Sequence, residues 1–98
     1  MIVDYSPGTG LTLAEPDDFK GFKLRLRQTA ERRPALPGIT FVDDGNVLVA
    51  IDTVKGLAGA PASEAWAAGF GRMVDHAATR GWIDASANAI RAHVERIA

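Results

Sequence analysis

The sequence contains no cysteine, which excludes disulfide bonds, thiolate nucleophiles and cysteine-ligated metal sites. It also lacks a charge excess, because eleven basic and twelve acidic residues give a formal net charge of -1. Proteins that bind nucleic acid usually carry a basic excess that neutralises phosphates, so we do not expect a nucleic-acid partner. The longest mostly apolar run in the strand region, residues 47–51, is too short to cross a bilayer, and we predict no membrane association.

Targeting and catalytic motifs are absent as well. The first residues have neither the basic segment nor the long apolar run of a signal peptide, so we expect a soluble, cytoplasmic protein. The two histidines, His76 and His93, form no His-x-x-x-His or comparable pair, and we predict neither a metal ion nor a cofactor. No glycine-rich phosphate loop or Gly-x-Ser-x-Gly elbow is present. This lack of catalytic motifs favours a protein without enzymatic activity.

The chain of 98 residues has the size of one domain, and we predict a single domain over residues 1–98. Nearly half of the residues are apolar (47%), but this fraction includes 17 alanines, each of which buries little surface. We therefore expect a thin hydrophobic core. Burial of further surface in an oligomer would add to its stability.

Short strands are predicted in the first third of the chain, at residues 1–5 and 11–14. Residues 21–28 are ambiguous between strand and helix. As a strand, all of their leucine and phenylalanine side chains point to one face, whereas a helix would leave Leu24 outside its apolar stripe. We favour the strand, whose opposite face then carries three basic residues: Lys23, Arg25 and Arg27.

Residues 39–53 contain the clearest local pattern, a β-hairpin. Asp44 and Gly45 suit a two-residue type I′ turn, which would pair Val42 with Val47. Both faces of this hairpin are apolar, although a hairpin with one wet face should alternate apolar and polar residues. Helices can cover one face, and either the N-terminal strands or a second copy must cover the other. We predict a two-fold homodimer. Its interface is expected to contain Val42, Val47, Val49 and Ile51.

Two helices are predicted after the hairpin. Apolar residues recur with helical spacing from Ser63, a good N-cap, to Gly81, which suits the left-handed position after a helix. Asp84 is expected to cap a second helix over residues 85–97. Strands followed by helices favour an α+β domain with two layers. The predicted fold is an antiparallel sheet, formed by the N-terminal strands and the hairpin, with both C-terminal helices packed on one face.

Anion binding is the main chemical possibility in the sequence. Arg25 and Arg27 on the strand, or Arg72 on the first helix, could hold a carboxylate or phosphate. His76 and His93 could act as acid–base groups, since imidazole titrates near neutral pH. The simpler interpretation is a solvated strand face and two histidines without a chemical role.

Two hypotheses from different classes follow. The first is a self-associating interaction or assembly module without catalytic activity. The alternative is a small protein or enzyme that binds an anionic ligand through Arg25, Arg27 or Arg72 together with a histidine.

Overall fold

Seven strands form one mixed sheet in the computed structural model, which describes residues 1–97. The strands are β1 (Ile2–Ser6), β2 (Gly10–Ala14), β3 (Lys23–Arg27), β4 (Ile39–Asp43), β5 (Asn46–Ala50), β6 (Ile83–Asp84) and β7 (Ala89–Ile97). The helices are α1 (Ile51–Gly56) and α2 (Glu64–Thr79). The strand order is β2-β1-β3-β7-β5-β4, and the short β6 also pairs with β7. Most neighbours are antiparallel, as predicted, but β3 runs parallel to both β1 and β7, so the sheet is mixed.

The N-terminal strands form where the sequence predicts them, and residues 23–27 form a strand and not a helix. Val3 lies opposite Leu24 on β3, and Leu24 lies opposite Val94 on β7. Val3 and Leu24 are completely buried. This apolar side of the sheet, which we call the inner face, also carries Leu26, Val47, Val49, Ile90 and Ala92.

The hairpin of β4 and β5 is confirmed, but its register differs from the prediction by one residue. A β-bulge between Phe41 and Asp43 leaves Val42 without a partner, so Phe41 lies opposite Val47. One extra residue on a strand exchanges the two faces beyond it. Phe41, Val47 and Val49 therefore share the inner face.

This register corrects the predicted dimer interface. Val47 and Val49 are 0% exposed, and Ile51 begins α1 in the same hydrophobic core. These three residues are covered within one chain and form no part of its surface. Val42 alone of the four predicted residues is accessible, with half of its side-chain surface exposed.

The first predicted helix is confirmed as α2, including its ends. Ser63 Oγ accepts a hydrogen bond from the Trp66 amide at 3.1 Å, which satisfies one of the free N–H groups of the first turn. At the other end Gly81 has a φ of +75°. The amides of Gly81 and Trp82 donate to the carbonyls of Ala78 and Ala77, at 3.1 and 3.0 Å. This pair of hydrogen bonds is the Schellman motif, and it fixes the direction in which the chain leaves the helix.

The second predicted helix is wrong, because residues 89–97 form the long strand β7. The Asp84 carboxylate accepts hydrogen bonds from the Ser86 hydroxyl and the Ala87 amide, and Asn88 adopts a φ of +48°. Asp84 therefore initiates a tight turn and caps no helix. The turn returns the chain along β6 and into the middle of the sheet.

α2 packs on the inner face of the sheet through residues spaced by three or four positions. Its buried residues belong to the same hydrophobic cluster as the inner face: Trp66, Phe70, Met73 and Ala77. The Trp66 and Phe70 rings are stacked at a centroid distance of 5.2 Å. The side chains on the other side of the sheet, which we call the outer face, are mostly polar or charged near β1, β3 and β7.

Neither α1 nor α2, the helices within residues 1–97, is long and apolar enough to span a membrane.

Candidate functional site

The basic row of β3 lies on the outer face and is paired with carboxylates of the neighbouring strands. Arg25 lies opposite Asp4 on β1 and opposite Glu95 on β7. Its Nε donates to Glu95 Oε1 at 2.8 Å, and Lys23 Nζ bonds the other Glu95 oxygen. Arg27 Nε donates to both Asp4 oxygens at 3.0 Å. The hydrogen bonds from Lys23 and Arg25 hold the pKa of Glu95 below its ordinary value.

This ion-pair cluster changes the role expected for the two arginines. Arg25 is only 18% exposed, and the single Nε–H group of Arg27 is shared between the two Asp4 oxygens in a bifurcated hydrogen bond. An external anion at the Arg25 guanidinium would have to compete with Asp4 and Glu95, and one at Arg27 would meet the charge of the Asp4 carboxylate. The cluster ties β1, β3 and β7 together, and the structure does not arrange these arginines as an open anion site.

The acidic pair of the hairpin turn also has internal partners. The Asp43 carboxylate accepts from the Gly45 amide at 2.8 Å and from the Asn46 side chain at 3.0 Å, as expected of a turn residue. Asp44 accepts from Arg32 and Arg33, at 2.9 and 2.7 Å. Among residues 1–97, no group of three or more histidine, aspartate or glutamate side chains is placed to hold a metal ion.

A cleft of about 460 Å³ lies between α2 and the sheet, at a break between two strands. On one side of β7, β6 pairs with residues up to Ile90, and the pairing with β3 begins only at His93. Arg91 and Ala92 thus lie beside a gap. The loop before β3, the C-terminal half of α2 and Trp82 form the other walls of this gap.

Most of the cleft wall is apolar. Phe22 comes from the loop before β3, Met73 from α2, and Ile90 from β7. Phe19 also contributes, and its position depends on a glycine: a Cβ atom at Gly69 would lie 2.7 Å from the Phe19 ring. Gly69 therefore lets Phe19 lie directly against α2, which explains the glycine in the middle of this helix.

The polar side chains at the cleft are basic or neutral. Four of them are exposed and come from three separate parts of the chain: Lys20, His76, Arg91 and His93. The remaining polar residue, Asn46, already donates its side-chain amide to Asp43. No aspartate or glutamate lines the cleft along the described chain. Outside the cleft, hydrogen bonds from the Asn46 side chain and the Gly45 amide lower the pKa of Asp43, and the charge of Arg91 adds a smaller effect in the same direction.

The structure brings together only some of the residues that the sequence proposed. His76 from α2 and His93 from β7 line the same cleft, although the sequence treated them as unrelated. Arg72 lies on the exposed side of α2 and does not line the cleft. Sequence reasoning missed Lys20 and Arg91, and no local pattern marks them, because the cleft exists only after β7 has entered the sheet.

A second groove lies on the outer face, next to the cleft. Val42 and Trp82 line it and are 50% and 47% exposed, and Leu48 and Ile83 line it as well. Trp82 lines both concavities, and the Arg80 guanidinium lies 5.7 Å from its ring centre, a cation–π arrangement.

Comparisons of the chain with family models, with curated proteins and with solved structures find no match.

Proposed function

We propose that this protein binds a small organic molecule in the cleft between α2 and β7. The observation that carries the proposal is the composition of one concave site, with apolar walls and a few polar side chains at its opening. Binding pockets for small molecules have volumes of about 300–1,000 Å³ and this kind of lining. The volume of about 460 Å³ falls within that range.

The proposal is limited to binding. A general acid or base must lie within hydrogen-bond reach of the proton that it transfers, and a nucleophile needs an adjacent base. Among residues 1–97, two histidines line the cleft, and no serine, threonine, aspartate or glutamate does. We therefore assign no chemical step to His76 or His93.

A fragment screen by NMR on isotope-labelled protein tests the proposal. We expect fragments to shift the amide signals of residues 19–22, 73–77 and 90–93 together. Gly21 offers a blocking variant, because it lines the cleft and a Cβ there meets no atom within 4 Å. Gly21→Phe should therefore fill the cleft and abolish these shifts.

Gly8→Phe is the matched control, because Gly8 is an exposed turn glycine that is also open to a side chain and lies outside the cleft. The control variant should bind fragments as the unchanged protein does. Fragments that shift only signals elsewhere would refute the proposal, and so would a screen without hits at millimolar concentration.

Self-association through the outer-face groove is a second candidate function, and the partner we propose is another copy of this chain. It is favoured by the adjacent exposed side chains of Val42 and Trp82. The same groove carries both an acidic and a basic residue, Asp84 and Arg91. A two-fold contact places one patch against itself, so a patch with both charges can be self-complementary.

Sedimentation velocity over a range of concentrations tests this second candidate. The unchanged protein should form a dimer, and Val42→Glu should make it monomeric without unfolding it, because Val42 is half exposed. Ile97→Glu is the control, since Ile97 is exposed but does not line the groove. A monomeric unchanged protein at several hundred micromolar would refute self-association, as would a Val42→Glu variant that remains dimeric.

A further inference from the structure

The charges around the cleft indicate which class of molecule it takes. We infer that the ligand is a monocarboxylate with an apolar body, such as an aryl or short alkyl acid, and this inference rests on the proposed binding function. The residues that carry it are Arg91 and Lys20, which are exposed, and Phe22, Met73 and Ile90, which belong to the apolar wall. Arg91 lies opposite Leu48 on the outer-face side of β7 and lines both the cleft and the outer-face groove.

Arg91 is the best placed group to hold the carboxylate. Four of the other seven arginines pair with acidic side chains, whereas among residues 1–97 no carboxylate lies within 4.0 Å of Arg91. Its backbone amide donates to the Trp82 carbonyl at 2.8 Å, which fixes the point from which the side chain extends. A guanidinium presents two parallel N–H groups that match the two oxygens of a carboxylate.

The other charges around the cleft favour an anion over a cation. Lys20 adds a second positive charge, and no acidic side chain in the described chain lines the cleft. A cationic ligand would therefore meet Arg91 and Lys20 without a compensating carboxylate, which raises its free energy of binding.

The shape of the site favours a single negative charge on an apolar body. The α2 residues in the wall, Met73, His76 and Ala77, belong to the last turns of the helix. The C-terminal end of a helix carries partial negative charge, which opposes a dianion such as a phosphate monoester. Within the described part of the chain no helix N-terminus contributes to the wall, so the backbone amides that commonly bind phosphate are missing there. The aromatic ring of Phe22 and the thioether of Met73 suit a flat or flexible apolar group.

Isothermal titration with four phenyl-bearing probes, three of which share one phenyl-alkyl body, tests the ligand class. The probes are 3-phenylpropionate, 3-phenylpropanol, 3-phenylpropylamine and phenyl phosphate. We expect 3-phenylpropionate to bind about tenfold more tightly than the alcohol, as for a charge-assisted hydrogen bond, and the amine to bind most weakly. Arg91→Met, which keeps an unbranched apolar stem without the charge, should remove the preference for the acid over the alcohol.

Arg72→Met is the matched control, because Arg72 is exposed on α2 outside the cleft, and it should leave the preference unchanged. Circular dichroism on each variant confirms that the fold is retained. Equal binding of the acid and the alcohol, tighter binding of the amine or phenyl phosphate, or an undiminished acid preference in Arg91→Met would each overturn the inference. If one of these outcomes is found but the probes still bind and Gly21→Phe abolishes their binding, the proposed binding function stands and only the carboxylate preference is wrong. If no probe and no fragment bound, both would fall.

Discussion

Replacing Gly71 by alanine should stabilise the protein, and the same change at Gly69 should not. Both glycines lie inside α2, two residues apart, and neither has a positive φ. Gly71 is exposed, and a Cβ there would meet no atom within 4 Å. Gly69 is buried, and its Cβ would lie 2.7 Å from two ring atoms of Phe19. The pair separates the helix propensity of alanine from its steric effect.

The expected change in the free energy of unfolding combines the helix propensity of alanine with the steric cost of its Cβ atom. Alanine is favoured over glycine in a helix interior by about 1 kcal/mol, because glycine loses more backbone entropy on folding. In a domain of this size, a gain of 1 kcal/mol raises the Tm by roughly 4–8 °C. Gly69→Ala has the same gain, but the Phe19 ring must move, and overpacking in a core typically costs about 1–3 kcal/mol. We therefore expect Gly69→Ala to be less stable than Gly71→Ala by about 1–3 kcal/mol.

Urea and thermal unfolding followed by circular dichroism measure both free energies. A double-mutant cycle with Phe19→Ala then isolates the steric term, because the close contact is absent in that background. In the Phe19→Ala protein, Gly69→Ala should become as stabilising as Gly71→Ala. Equal stability of the two single variants would refute the packing of Phe19 on Gly69. It would also remove the reason given for the position of Phe19 at the cleft.

Three further predictions concern the core, the ion pairs and the helix cap. In urea unfolding, Val49→Ala should lower the free energy of unfolding by about 2 kcal/mol, because Val49 is fully buried. Val42→Ala should change it by less than about 0.5 kcal/mol, because Val42 is half exposed. The pKa of Glu95 is lower in the folded than in the unfolded chain, so its stabilising effect is complete above pH 4.5 and is lost as the pH falls through the folded value. Glu95→Gln should therefore flatten the acid side of a stability-against-pH curve, and an unchanged curve would contradict the ion-pair geometry. Ser63→Ala should cost about 1 kcal/mol in the same unfolding assay through loss of the N-cap, and Ser63→Asp should restore it.

Local sequence patterns predicted those elements whose ends are determined by neighbouring residues. The cap at Ser63 and the turn at Gly81 specify α2 from within the segment itself, through contacts no more than five residues apart. In β3, leucine and basic residues alternate strictly, so a strand places both leucines on one face, toward the core. These elements required no knowledge of the rest of the chain.

Residues 89–97 show where local patterns fail. Ile90 and Val94 are four positions apart, as in a helix, but they are also an even number of positions apart, as on one face of a strand. The strand is formed because β3 and β5 supply backbone partners on both sides, which no local pattern reveals. The bulge at Val42 has the same origin, since the register that buries Phe41, Val47 and Val49 together is set by the whole core.

The cleft is even harder to predict from the sequence. Its basic side chains come from positions as far apart as Lys20, His76 and Arg91, and each has an ordinary surface neighbourhood in the sequence. The arginines that stood out, Arg25 and Arg27, did so because they form an alternating row. The structure shows that this row is paired with Asp4 and Glu95.

The position of β7 has a consequence for how the chain is made. β7 is the last of the strands in the described sequence, yet it lies in the middle of the sheet and joins β3 to the hairpin of β4 and β5. On the ribosome, β3 and β5 are complete on the order of seconds before β7 emerges, and until then each presents an unpaired edge. Pairing of β7 with β3 then joins residues 70 positions apart, such as Arg25 and Glu95. This step is slow because a long segment of chain must be closed. The free edges of β3 and β5 are thus open to edge-to-edge pairing between nascent chains during that interval.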